Sequence, residues 1–162
     1  MPRPSSDRWF WLAALGGAAT FAIALFFQYA MGLPPCQMCV WQRYALGVGI
    51  GGAVLGALAA PVLGLIGVIG FVAEAGIAGF HSGVERGWWA GPQSCSGGSL
   101  ATDFDAGALA QALKDGPPPA CNEIPWELLG LSIANWNMLA ALGLAAICFM
   151  GLRRPRRAAQ PG

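Results

Sequence analysis

The chain has 162 residues, of which 56% are hydrophobic and 10% charged, whereas an ordinary soluble domain is about 25% charged. This composition excludes a soluble globular domain, and a formal net charge of +1 at pH 7 carries no sign of nucleic-acid binding. The polar residues lie between long apolar runs, so the sequence predicts an integral membrane protein.

Four apolar segments follow one another along the chain, each close to the roughly 20 helical residues that cross a bilayer. They cover about residues 9–29, 44–60, 62–80 and 130–152. Helices are expected because lipid offers no hydrogen-bond partner to exposed backbone groups. The first segment follows Arg3 and Arg8 as a signal peptide would, but its apolar core is longer than that of a signal peptide. The sequence therefore predicts an all-α fold, an antiparallel bundle of four transmembrane helices forming a single domain over 1–162.

The basic residues predict how the bundle is oriented. Six of the nine lie near the two ends of the chain, at Arg3, Arg8, Arg153, Arg154, Arg156 and Arg157. The positive-inside rule then places both termini in the cytoplasm. Two loops, at about 30–43 and 82–129, face the opposite side, and the longer one carries six acidic residues against two basic ones.

The second apolar segment is rich in glycine, with pairs at four-residue spacing at Gly47 and Gly51 and again at Gly52 and Gly56. Such spacing lets helix backbones approach closely in lipid. Compact packing within the bundle is the plain interpretation of these pairs, and a dimer interface is the alternative.

The predicted topology separates the five cysteines. Cys36 and Cys39 lie on the short outer loop, Cys95 and Cys121 on the long one, and Cys148 near the cytoplasmic end of the last span. An even number therefore faces the side on which disulfides persist. Cys148 is expected to be a small apolar packing residue.

Three kinds of chemistry are open to the four outer cysteines. A zinc site is disfavoured, because Cys95 and Cys121 are far apart in sequence and His81 is the only histidine. A structural disulfide would suit Cys95 and Cys121, since closing so long a loop stabilises it. A bridge between Cys36 and Cys39 would constrain almost nothing, so that pair is more readily explained by its reactivity.

The residues around the Cys36–Cys39 pair favour redox chemistry. The second helix is expected to begin just after Cys39, and the partial positive charge at a helix N-terminus stabilises a thiolate. Arg43, four residues further on, would bring its guanidinium under Cys39. The alternative for Arg43 is that its charge reaches out to lipid headgroups.

Together these residues resemble the bacterial DsbB family of membrane disulfide oxidoreductases. The resemblance is carried by "CQMC" at 36–39 followed by Arg43, and by a second separated cysteine pair on the other outer loop of a four-span chain. It extends to Gln28 in "FFQYAMGLPPC", to "FHSGVERGWWAGPQSC" and to "CNEIPWELLGLSIANWN".

The resemblance implies a function. The protein would lie in the bacterial inner membrane, with its cysteines on the periplasmic side, and would reoxidise a DsbA-like dithiol oxidase of thioredoxin fold. Cys95 would form the mixed disulfide with that partner, and Cys121 would then exchange with Cys36. Cys39 would be freed as a thiolate beside a membrane quinone, ubiquinone or menaquinone, with Arg43 nearby.

Further residues are candidates for the quinone site. Gln28 and His81 are predicted to contribute to it, and no metal is expected. Glu74, His81 and Glu85 are spaced by seven and four residues, so they would share one face if the third helix continued to Glu85. Glu74 is a candidate for proton delivery to the reduced quinone or a buried neutral carboxyl. Residues 102–115 are predicted to form a short helix on the membrane surface, with a plain loop element as the alternative.

Two alternative functions remain open at this point. One is a related oxidoreductase that serves a dedicated partner. The other is a non-catalytic membrane scaffold whose cysteines only staple its outer loops.

Overall fold

A computed structural model describes residues 7–92, 95 and 120–153. Four long helices account for most of them: α1 (Asp7–Tyr29), α2 (Gln37–Leu58), α3 (Gly64–Glu85) and α4 (Ile133–Arg153). A single turn of 3₁₀-helix, Pro61–Leu63, leads into α3. The predicted surface helix at 102–115 lies outside the described residues.

Three of these segments are long and apolar enough to cross a membrane: Asp7–Tyr29, Pro61–Glu85 and Ile133–Arg153. The chain is therefore a multi-pass helical membrane protein. Helix α2 is not among the three, since its first turns carry Gln42 and Arg43 and its remainder is rich in glycine, which lowers the mean hydropathy. A fourth crossing by α2 stays a prediction.

The observed helix ends differ from the predicted spans. Helix α2 begins at Gln37 rather than Tyr44, because Cys36 caps it: the sulfur of Cys36 accepts a hydrogen bond from the backbone N–H of Cys39. Helix α3 runs past residue 80 to Glu85, as the shared face of Glu74, His81 and Glu85 requires.

The fourth helix starts at Ile133 rather than near residue 130, because a short antiparallel hairpin precedes it. Glu127–Leu128 pairs with Leu131–Ser132, and the turn residues Leu129 and Gly130 have φ of 56° and 76°. Positive φ at both central positions is the backbone of the tight turn that joins twisted strands. This hairpin was not predicted.

Glycines allow α2 and α3 to touch backbone to backbone. A Cβ atom placed on Gly52 would lie 2.1 Å from the backbone nitrogen of Gly67, and one on Gly70 would lie 2.3 Å from that of Gly49. The predicted close approach at Gly52 and Gly56 is therefore confirmed. Gly47 and Gly51 make no such approach, since an added Cβ there would meet nothing within 4 Å among the described residues, and for this pair the dimer interface stays a prediction.

The end of the bundle away from the four outer cysteines packs around Phe10. Its ring is fully buried, and a Cβ atom on Gly64, Gly151 or Gly56 would come within 2.2 to 3.1 Å of it. Cys148 is buried in the same apolar core, as predicted, and its thiol donates a hydrogen bond to the Gly64 carbonyl at 3.4 Å. This core joins all four helices.

Trp89 folds back onto the outer end of α3. Its indole N–H donates to the Phe80 carbonyl at 2.8 Å, and its ring stacks on that of Phe80 with centroids 5.6 Å apart. Gly83 makes room for the indole, because a Cβ there would lie 2.0 Å from the ring. The chain is thereby anchored just before the segment that carries Cys95.

Candidate redox site

The four outer cysteines meet at one end of the bundle. Cys95 and Cys121 form a disulfide, while the sulfurs of Cys36 and Cys39 lie 2.9 Å apart without a bond between them. The sulfurs of Cys36 and Cys121 and a ring nitrogen of His81 all lie within 4.8 Å of one another. Two pairs that are distant in sequence thus form a single buried cluster, here called the cysteine cluster.

Local backbone geometry makes Cys36 the residue most exposed to the charge of the helix N-terminus. It is the N-cap of α2, whereas the sequence prediction gave that position to Cys39. A hydrogen bond from the Cys39 thiol holds the pKa of the Cys36 thiol well below its usual range, against the opposing effect of burial, and His81 and the Cys39 amide add to the lowering. Cys36 is therefore the thiol that ionises first.

His81 contacts the cysteine cluster directly. Its Nε2 lies 3.6 Å from the Cys36 sulfur, and its Nδ1 lies 3.0 Å from the side-chain nitrogen of Gln42. The amide of Asn137 donates to the Gln42 oxygen at 3.0 Å, which leaves the Gln42 nitrogen to donate to Nδ1. In the neutral ring the proton is then on Nε2, facing Cys36. Gln42 and Asn137 therefore set the tautomer of His81.

Behind His81 lies a second polar layer. A carboxylate oxygen of Glu85 is 3.9 Å from His81 Nε2, and the other accepts a short hydrogen bond from the Ser132 hydroxyl. Asn135 binds Ser132 and also donates to the Ser82 hydroxyl at 2.7 Å. The unpredicted hairpin thus supplies Ser132, which holds Glu85 in place.

The side chains of Arg43 and Gln28 are in contact, but only Arg43 reaches the cavity. The guanidinium donates to the Gln28 side-chain oxygen at 2.5 Å and to the Ala24 carbonyl at 3.3 Å. Arg43 lines the cavity described next, whereas Gln28 lies behind it and orients it. Both partners of Arg43 are on α1, so hydrogen bonds from a neighbouring helix stabilise its charge inside the bundle.

A cavity of about 120 Å³ opens beside the cysteine cluster. Loop residues such as Pro34, Glu123 and Pro125 line it, and so do Cys36, Cys39 and His81. Thr20, Leu46 and Glu74 line it as well and lie nearer the middle of their helices; this part of the lining is called the floor. The sequence-predicted residues Arg43, His81, Glu74 and Glu85 therefore all border one space.

Sequence reasoning missed Gln42, Asn137, Ser132 and Asn135. Two of these had a visible signal: Gln42 and Asn137 are amides inside apolar helices, where a polar side chain needs a partner. Which partner each one takes depends on contacts between α2, α3 and α4, and these could not be read from spacing along one helix.

Among the described residues, the metal-type donors that come together are Cys36, His81 and Cys121. With the Cys95–Cys121 bond closed, the sulfur of Cys121 is not a thiolate, and the thiolate is the form that binds metal ions. The cluster as it stands is arranged for sulfur exchange.

Two cysteine pairs in contact at one end of a multi-pass helical bundle are the arrangement expected of a membrane disulfide oxidoreductase. Comparison with known sequences agrees: the sequence model described as disulfide bond formation protein DsbB matches residues 6–151. The chain therefore belongs to the DsbB family.

Curated relatives extend the match to nearly full length. The chain is 35% identical to disulfide bond formation protein B of Verminephrobacter eiseniae, over 91% of this chain and 89% of that protein. It is 31% identical to the protein of the same name from Stutzerimonas stutzeri, over 90% of this chain and 93% of that one. A third, from Polaromonas naphthalenivorans, is 35% identical over 84% and 86%.

Proposed function

We propose that this protein reoxidises a DsbA-like periplasmic dithiol oxidase of thioredoxin fold and passes the electrons to a membrane quinone. The observation that carries the proposal is the contact between two cysteine pairs beside a largely apolar cavity. The proposal includes a four-span topology in the bacterial inner membrane, with cytoplasmic termini and periplasmic cysteines.

The first half of the cycle is sulfur exchange inward. A thiolate of the partner attacks the Cys95 sulfur, so a mixed disulfide forms, the Cys95–Cys121 bond breaks and Cys121 leaves as a thiolate. Cys121 then attacks Cys36 of the oxidised Cys36–Cys39 pair, which lies within reach. That step forms a Cys36–Cys121 bond and releases Cys39 as a thiolate toward the cavity.

The second half closes the outer pair. The partner's remaining thiol displaces Cys95 and leaves as an oxidised protein, and Cys95 attacks Cys121 to expel Cys36. A sulfur of low pKa leaves faster, and the Cys36 thiol has the lowered pKa. His81, 3.6 Å from that sulfur, holds the thiolate as it forms.

The cavity residues fit a quinone. The cavity volume of about 120 Å³ is roughly ten times the ~10–15 Å³ that a single water needs. Its walls are mostly apolar, yet the Arg43 guanidinium borders it, and the buried Oε2 of Glu74 has no hydrogen-bond partner among the described residues. A bound quinone supplies a two-electron, two-proton acceptor. Arg43 favours the negative charge that develops as Cys39 delivers the electrons, after which Cys36 and Cys39 bond again.

The proposal is tested by reducing the purified full-length protein, adding a short-chain ubiquinone or menaquinone, and trapping free thiols by alkylation. We expect two disulfides to return with consumption of quinone, and Cys39→Ser to abolish the consumption. Recovery of bridges at the same rate without quinone would reject the proposal and leave the cysteines as structural staples.

A further inference from the structure

Glu74 is the buried carboxyl that the exchange chemistry does not use. It lies in α3 with a relative exposure of 1%, it borders the cavity floor, and its Oε2 has no hydrogen-bond partner among the described residues. A buried polar atom without a partner costs free energy, and an ionisable residue within a membrane span usually serves function. The free oxygen therefore points to a ligand.

The neighbouring polar groups are already engaged. On α1, the Thr20 hydroxyl donates to the Gly16 carbonyl, and on α2 the Arg43 guanidinium binds Gln28 and the Ala24 carbonyl. Gln42, His81 and Asn137, from α2, α3 and α4, hydrogen-bond in a chain with one another. Each of these side chains lines the cavity without a hydrogen bond to Glu74 Oε2.

Polar groups consequently border the cavity at two levels. His81 contacts Cys36 and Gln42 at the outer level, whereas Glu74 is seven residues before His81 on α3, about 10 Å deeper along the helix axis at 1.5 Å per residue. A quinone ring carries its two oxygens at opposite ends. When one oxygen faces the outer level, a polar group at the floor is needed for the other.

We propose that Glu74 is a catalytic residue: its carboxyl hydrogen-bonds the quinone oxygen at the cavity floor and transfers its proton there as the electrons arrive. This inference rests on the proposed function. Two partner thiols lose two electrons and two protons on forming a disulfide, and the quinone gains both pairs on becoming a quinol. Glu74 passes on one proton and regains one from the pair released by the thiols, so it is not consumed.

The first test is infrared difference spectroscopy on the full-length oxidised protein in nanodiscs, with and without a short-chain ubiquinone. A neutral carboxyl has a carbonyl-stretch band separate from that of a carboxylate. We expect this band to shift when the quinone binds, to be absent in Glu74→Gln, and to persist in Glu127→Gln, whose carboxyl is on the exposed hairpin. The absence of a shift in the wild-type protein would overturn the proposal without reference to any variant.

The second test separates proton transfer from binding. In stopped-flow measurements on the reduced protein with saturating quinone, Glu74→Gln should slow quinol formation about 100-fold, the scale of general acid catalysis. Quinone affinity, followed by tryptophan fluorescence, should stay within about threefold, since the amide still donates a hydrogen bond. The rate of thiol exchange with a dithiol protein should not change. Quinol formation at the wild-type rate, or weaker binding alone, would overturn the role.

The two proposals fail in different ways. Should the wild-type protein form no quinol, the proposed function itself is rejected. Should the wild-type protein form quinol and Glu74→Gln do so equally fast, only the role of Glu74 is rejected.

Discussion

The two ends of this helical bundle are built on opposite principles. Around Phe10 the core is apolar, and glycines bring helices against a single ring. The cysteine end and the cavity beneath it contain all five buried polar or charged residues of the described part of the chain: Gln42, Glu74, His81, Ser82 and Ser132. The apolar end holds the helices together. Burying polar groups at the other end costs folding free energy, as is typical of a functional site.

The free cysteines show the same contrast within one residue type. Cys148 is surrounded by apolar side chains and donates only to a backbone carbonyl. Cys36 lies at a helix N-terminus beside an imidazole and a second thiol. Both are buried, so exposure does not separate them. Neighbouring charge and hydrogen-bond donors distinguish a reactive sulfur from a packing one.

Removing a cysteine from each end tests this contrast most strongly. Cys36→Ala should lower quinone-dependent oxidation of a dithiol protein by at least ~1,000-fold, because no other sulfur can replace a covalent intermediate. Cys148→Ala should retain activity within about twofold. Steady-state oxidation assays on both purified variants measure the two activities. A large loss of activity in Cys148→Ala would contradict the purely structural role of that residue.

His81 is the next largest contributor that we expect. His81→Ala should slow the exchange between Cys121 and Cys36 about 100-fold, since an acid–base group at the reacting sulfur is lost. Rapid mixing with a reduced dithiol protein, followed by acid quench and alkylation, measures that step. Quinone reduction that is unchanged in both rate and affinity would remove His81 from the site.

The packing between α2 and α3 should respond to a single methyl group. Gly52→Ala places a Cβ 2.1 Å from the backbone of Gly67 and should destabilise the fold by about 1–3 kcal/mol. Gly51→Ala is the matched control, because its Cβ meets no described atom within 4 Å and alanine favours a helix. Unfolding in mixed detergent micelles compares the two, and equal stabilities would contradict the backbone contact.

The smallest predicted effect concerns pH. Because its pKa is lowered, the Cys36 thiol should be ionised at neutral pH, so its alkylation rate in the reduced protein should stay nearly constant from about pH 9 to pH 6. In the unfolded chain the alkylation rate of the same cysteine should fall about tenfold for each pH unit below ~8.5. Peptide mass spectrometry of iodoacetamide-treated samples measures both rates. A parallel decline in the folded protein would contradict the stabilised thiolate.

Much of the site followed from spacing along single helices. Glu74, His81 and Glu85 were predicted to share a face because a helix repeats every 3.6 residues, and all three border the cavity. Residue types also drew attention to Cys36 and Cys39, since a bridge between them has little structural use, and in the structure their free sulfurs lie 2.9 Å apart beside His81.

The spacing of residues along one helix could not predict the contacts between different helices, or the hairpin before α4. Cysteine is not among the usual N-cap residues, so the start of α2 at Cys36 gave no signal in the sequence. The turn at Leu129 and Gly130 lacks the usual asparagine or aspartate, and its hairpin was missed for that reason. The Gln28–Arg43 contact joins two helices, and their relative rotation is set by packing that no local pattern specifies.

The anchoring of Trp89 on Gly83 has a consequence for the partner protein. Cys95 is six positions after Trp89, with five residues between them, so the tether is no longer than about 20 Å when fully extended. Once the bond to Cys121 opens, the sulfur of Cys95 is confined to a sphere of that radius. In the proposed cycle this confinement keeps the effective concentration of Cys95 near Cys121 high, which favours the return step over capture by stray thiols. A partner would therefore have to bring its own thiol to this end of the bundle.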